Sequence, residues 1–206
     1  VEFLKPESII LFGGIGLLLL IVFAETGLFF GFFLPGDSLL FTAGLLCNST
    51  YLPFSVTALI AMITASAVLG TCAGYLLGRW SNQYFEKRKE NFLYKKRYID
   101  MARDFYNKRG MSAFFIGRFL PVFRTFIPII AGVLRIRFTT FLLFNIAGAL
   151  TWVIALVGAG YTLGKAFPGV HLYLELIVLA MIVITAIPAW IAWTQNKKSI
   201  LIGKSS

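Results

Sequence analysis

The fold class this sequence predicts is an all-α polytopic membrane protein with two inverted repeats, each a re-entrant helical hairpin followed by a transmembrane helix. Three observations predict it. Of 206 residues, 58% are hydrophobic and only 14% charged, with a mean hydropathy of +0.82, which is more apolar surface than a water-wetted domain of this length needs. The apolar runs are continuous instead of alternating with period two, which selects helices over strands. The third observation is an internal repeat. Phe33-Leu34-Pro35 recurs as Phe119-Leu120-Pro121, and Ala73-Gly74-Tyr75-Leu76-Leu77-Gly78-Arg79 recurs as Ala159-Gly160-Tyr161-Thr162-Leu163-Gly164-Lys165, with 121 − 35 and 159 − 73 both equal to 86. Between them, Ala43-Gly44-Leu45-Leu46 matches Ala131-Gly132-Val133-Leu134 at offset 88, so the second hairpin is two residues longer.

Residues 1–206 read as one membrane domain, taken in order as follows. The first apolar run, Ser8 to Ala24, is marginal but sufficient for a bilayer if it tilts little. It lacks a small-residue cleavage pattern, so it reads as a mature helix and not as a signal peptide. Repeat 1 covers about 22–79, with a first re-entrant hairpin at 25–46 broken at Pro35-Gly36 and a span at Phe54 to Gly78. A proline removes a backbone donor and disrupts the helix behind it, so an apolar segment carrying one reads as two half-helices meeting at depth. Segment 80–110 is basic and amphipathic: Tyr94, Tyr98, Met101, Ala102 and Phe105 share one helix face and cations occupy the other, as in a helix lying on lipid phosphates. Repeat 2 covers about 111–165, with a second hairpin at 111–134 broken at Pro121 and Pro128 and a span at Phe138 to Gly164. A last transmembrane helix is expected at 170–193.

The net charge of +10 does not indicate nucleic acid. Ten of the nineteen basic residues fall between Arg79 and Arg109, and most others flank apolar runs, which is the positive-inside pattern. It puts Lys5, the basic loop, Arg135, Arg137 and the C-terminal tail on the cytoplasmic side, with both termini cytoplasmic. The two hairpins then enter from opposite faces and point at each other. Inverted repeats of broken helices, with a site near the midplane, are a secondary-transporter pattern. Cys47 and Cys72 are not expected to pair, and the sequon Asn48-Ser49-Thr50 is too short a signal to imply glycosylation.

Four charges lie inside the hairpins: Glu25 and Asp37 in the first, Arg118 and Arg124 in the second. Each intramembrane charge costs roughly 2.5–3.5 kcal/mol on insertion scales, so they must face each other, water or a ligand. Arg118 and Arg124 flank Pro121, and a break there lets both guanidiniums reach one cavity as a fork for phosphate or carboxylate. They could equally only neutralise the acids. Glu25 and Asp37 have the features of proton sites, and a carboxylate that releases its arginine on protonation would couple proton movement to anion binding. Asp37 could also act as an N-cap for the helix that follows it. His171 is the single histidine and no His, Asp or Cys cluster accompanies it, so no enzyme activity, metal or cofactor is expected.

The strings Glu25-Thr26-Gly27, Phe33-Leu34-Pro35-Gly36-Asp37-Ser38-Leu39-Leu40-Phe41 and Ala43-Gly44 resemble the first signature of the DedA family, also called SNARE-associated or VTT-domain membrane proteins. Gly117-Arg118-Phe119-Leu120-Pro121, Arg124-Thr125-Phe126, Pro128 and Ala131-Gly132, followed by Phe141, Asn145, Gly148 and Trp152, resemble the second. The likeness spans roughly Phe23 to Lys165. It implies two facing re-entrant hairpins and lipid movement across a bacterial cytoplasmic membrane. The substrates it implies are undecaprenyl phosphate or phospholipid, with a link to the proton-motive force, and the family's essential acid and arginine pairs fall on Glu25, Asp37, Arg118 and Arg124. A homo-oligomer stays open. Arg109 stands where the family often has histidine and Ile136 where methionine is common; the first weakens a histidine-based proton relay. Against the lipid reading stands a proton-coupled ion or drug antiporter, which the same four charges could serve.

Overall fold

The computed structural model describes residues 6–28, 36–47, 52–85 and 121–166. They form five helices: α1 (Pro6–Gly27), α2 (Gly36–Leu45), α3 (Val56–Phe85), α4 (Pro121–Val133) and α5 (Phe138–Ala166). Among the described residues, Val56–Ser81 and Phe138–Ala166 are long and apolar enough to cross a membrane. The expected span at 170–193 and the amphipathic face at 94–105 lie outside the described residues.

Helix boundaries follow local chemistry. Ser55 caps α3, its Oγ accepting the Ala58 N–H at 3.3 Å. Pro121 opens α4, where its missing N–H is no loss. At its other end α4 closes with paired reverse bonds, Arg135 N–H to Gly132 O (3.1 Å) and Ile136 N–H to Ala131 O (3.1 Å), with Arg135 left-handed at φ 54°. Cys47 N–H to Gly44 O (3.4 Å) repeats the first of these bonds at the end of α2.

Three expectations are corrected. The first apolar run is not a separate helix ahead of the hairpin: α1 kinks at Gly14 (φ 56°, ψ −154°), a conformation open to glycine, and the part after the kink continues through Ala24 and Glu25 to Gly27. Pro128 does not break the second hairpin but sits inside α4; its neighbours carry the helix past the one missing bond, to the Arg124 carbonyl four residues back. Finally, α3 runs past Gly78 to Phe85, because Arg79 to Phe85 contains no proline or glycine to stop it.

Packing exchanges partners between the two halves. α1 runs parallel to α3, with the Ser66 hydroxyl donating to Leu19 O (2.6 Å) and the Thr26 hydroxyl to Ala67 O (3.3 Å). α3 and α5 are antiparallel: the Thr71 hydroxyl donates to Asn145 Oδ1 (2.8 Å), and Tyr75 stacks on Phe141 with ring centroids 4.8 Å apart. α2 then packs along α5, close enough that a Cβ on Gly44 would strike the Val157 carbonyl, while α4 packs along α3, where a Cβ on Gly132 would strike the Tyr75 carbonyl. Each short helix therefore rests on the long helix of the other half. The main core lies where α1, α2, α3 and α5 meet, around Val22, Leu40, Ile63 and Val153; a second cluster joins Tyr75, Ala131, Ile136 and Phe141.

Candidate functional site

Glu25 comes from the last turn of α1, Asp37 from the first turn of α2 and Arg124 from the first turns of α4. The exchanged packing brings all three together. Arg124 spreads its guanidinium between the acids, Nη1 donating to Asp37 Oδ1 at 2.6 Å and Nη2 donating to Glu25 Oε1. Glu25 is 0% exposed, Arg124 5% and Asp37 18%, so Asp37 is the member nearest an opening. The approach of Glu25 depends on Gly36: a Cβ there would overlap the carboxylate. Asp37 lies within α2, and its Oδ1 is used by Arg124 and Trp152 rather than for capping.

Trp152 completes the cluster. Its Nε1–H donates to Asp37 Oδ1 at 3.1 Å, and its ring lies under the guanidinium with the Arg124 Cζ 5.0 Å from the centroid. It therefore holds the acid by a hydrogen bond and the base by a cation–π contact. Trp152 is the middle residue of α5, about 21 Å from either end at 1.5 Å per residue. Asn145, two turns earlier, accepts from Thr71 and donates to Val68 O at 3.4 Å, extending the polar layer across the α3–α5 crossing.

Of the expected site residues, Glu25, Asp37, Gly36 and Arg124 meet; Pro121 and Pro128 lie in the helix that carries Arg124. Arg118 and Pro35 lie outside the described residues. Trp152 entered the sequence reading only through the family resemblance. Its signal was available: an indole donor in an apolar helix, seven residues from an asparagine and thus on the same face.

Ionised, Glu25, Asp37 and Arg124 sum to −1. Two buried polar atoms in this cluster, Glu25 Oε2 and Arg124 Nε, have no hydrogen-bond partner among the described residues. Among the described residues, then, the carboxylate oxygen has room for a proton or a donor and the Nε–H for an acceptor. Among the described residues no group of His, Cys, Asp and Glu could hold a metal ion.

The VTT domain family matches residues 34–162 of this chain. The chain belongs to the VTT-domain, or DedA, family. DedA relatives agree across most of the length. Protein DedA of Escherichia coli K12 is 33% identical over 183 residues, 89% of this chain and 83% of that protein. The uncharacterized membrane protein Rv0364 of Mycobacterium tuberculosis is 39% identical over 175 residues, 85% of this chain and 76% of that one. Inner membrane protein YqjA of E. coli K12 is 37% identical over 150 residues, 72% and 66% of the two chains. No solved structure matches. This DedA-family chain is accordingly a helical membrane protein; Asp37, Arg124 and Trp152 of its buried ion cluster lie within the matched residues, and Glu25 lies nine residues before them.

Proposed function

We propose that the protein is a lipid translocase of the bacterial cytoplasmic membrane. Its substrate is a phosphate-headed lipid, undecaprenyl phosphate first and phospholipid second, moved from the outer to the cytoplasmic leaflet with protons as the coupled species. The observation that carries this reading is the Arg124 fork held between Glu25 and Asp37 at mid-length of the long helices. In this arrangement the fork is filled. Protonating either acid removes one claim on it, and the freed guanidinium edge, with Arg118 as its expected companion, is then a receptor for a phosphate at depth. The headgroup would be exchanged for a carboxylate, so that no bare charge is left in a low-dielectric setting.

The lengths of the short helices agree with re-entrant hairpins. Gly13–Gly27 and Arg124–Val133 are apolar helices below spanning length, and the ten residues of α2 reach about 15 Å, half of a ~30 Å hydrocarbon core. Inverted repeats are favoured by the antiparallel course of α3 and α5 and by the matching ends of α2 and α4. No catalytic role is assigned to any residue.

The test is reconstitution into liposomes with labelled polyprenyl phosphate and a phospholipid control, with and without a proton gradient. Expected are saturable polyprenyl phosphate movement, loss of it in Arg124→Lys and Arg118→Lys while the protein stays in the membrane, and loss of gradient dependence in Glu25→Gln and Asp37→Asn. Full activity of both lysine variants would refute headgroup recognition. The net −1 cluster with its fork already filled favours one second reading, a proton-coupled cation or drug antiporter. That reading predicts small-cation transport needing Glu25 and Asp37 but indifferent to arginine-to-lysine exchange.

A further inference from the structure

We propose that Arg79, Arg135 and Arg137 form a separate binding site for the phosphate of an anionic lipid headgroup, at the end of α3 where the α4–α5 turn meets it. Arg79 is 56 residues from Arg135 (135 − 79). Packing brings them together: a Cβ on Gly132 would strike both the Tyr75 carbonyl and the Arg79 amide nitrogen, and the Tyr75 hydroxyl donates to Ile136 O at 2.6 Å. Ile136 is buried, and the arginines on either side of it are exposed, as is Arg79.

A basic end by itself expresses only the positive-inside rule. Here the internal repeat supplies a control. Offset 88 places Cys47 where Arg135 stands, and offset 86 places Lys165 where Arg79 stands. Both short helices finish with the same reverse bond, Cys47 N–H to Gly44 O and Arg135 N–H to Gly132 O. Yet Cys47 is buried with no positive φ, whereas Arg135 is left-handed and exposed. The second bond at the end of α4, Ile136 N–H to Ala131 O, accompanies the left-handed residue there, but neither bond requires that residue to be arginine. At a position where glycine or asparagine is the ordinary choice, this chain has a guanidinium.

The depth and the surroundings select lipid over free phosphate. Glu25 lies two residues from Gly27, which abuts Gly70; Arg79 is nine residues beyond Gly70, about 13 Å at helical rise. That is close to half of a ~30 Å hydrocarbon core, so a mid-membrane ion cluster puts the arginines at headgroup level. Trp80, 67% exposed, with exposed Leu76 and Leu77 beside it, is the interfacial aromatic and apolar skirt expected at that level. Forked guanidiniums from two segments suit the several oxygens of a phosphate monoester or diester.

The test counts lipids on the purified full chain in neutral detergent by native mass spectrometry, titrating dioctanoyl phosphatidic acid against dioctanoyl phosphatidylcholine. Expected is one phosphatidic acid whose affinity falls about fivefold to tenfold in Arg135→Lys combined with Arg137→Lys, a pair that keeps charge and topology but loses the fork. Arg135→Gly, which relaxes the turn and so folds, should lower it as well. Lys165→Gln at the opposite end should change nothing, and Arg124→Lys should leave this lipid bound whatever it does to transport. Unchanged affinity in the double lysine variant would overturn the proposal. So would equal binding of phosphatidylcholine, or displacement by inorganic phosphate at concentrations matching the lipid, which would mark a soluble-anion site.

Discussion

α2 and α4 occupy equivalent places and carry opposite charges. Both are short helices that begin beside the ion cluster, both end on the same glycine-centred bond, and each lies on the long helix of the other half. At the start of α2 stands Asp37; at the start of α4 stands Arg124. Had the copies kept one charge, two like charges would meet in a largely buried cluster, where screening is weak. Divergence at this one level makes the repeat compatible with itself: backbone approach is conserved between halves and polarity is inverted.

The largest effect that breaks this complementarity is Arg124→Ala. It leaves Glu25 and Asp37 facing each other without a counter-charge, and breaking a buried pair from one side costs about 3–5 kcal/mol. Thermal unfolding followed by fluorescence-detected size exclusion should show a lower transition, and adding Glu25→Gln should recover much of it. A variant as stable as wild type would mean that the acids do not depend on this arginine. Next comes Gly36→Ala, whose Cβ overlaps the Glu25 carboxylate; overpacking of this kind costs about 1–3 kcal/mol. Transport should fall with it, since Glu25 must move off Arg124. Trp152→Phe keeps an aromatic ring but deletes the 3.1 Å donor to Asp37, a loss of about 1.5 kcal/mol, and should lower the unfolding transition and the transport rate without abolishing membrane insertion. Smallest is Gly158→Ala on α5, where a Cβ meets nothing within 4 Å: about 0.5–1 kcal/mol of added stability with unchanged transport. Stabilisation at Gly158 beside loss at Gly36 would separate glycines required by contact from those that are not.

The same comparison explains what could be read from sequence. Charges in apolar segments announce themselves because their cost is local, so Glu25, Asp37 and Arg124 needed no structure to single them out. The long helices α3 and α5 were equally legible from continuous hydropathy. Pro128 misled because a proline removes one bond whether or not its neighbours carry the helix onward, and only packing decides that. The continuity of α1 through Glu25 was hidden in the same way, since the break falls on Gly14, one of several glycines in an apolar run. Trp152 carried only a weak signal, its place on one helix face with Asn145, and that spacing does not tell an indole facing lipid from one gripping an aspartate. The exchanged packing lay beyond any local signal, because it pairs residues such as Asp37 and Trp152 across 115 positions.

That separation also has a kinetic meaning. During synthesis, α2 is made long before its resting place on α5 exists, and Asp37 precedes Arg124 by 87 residues and Trp152 by 115. At about 5–20 residues per second, the acids of the first half wait on the order of 4–17 s for their arginine and 6–23 s for the indole. The nascent first half is therefore an incomplete, acid-bearing fragment that must be sheltered, by the insertion machinery or by protonation, until the second half arrives to close it.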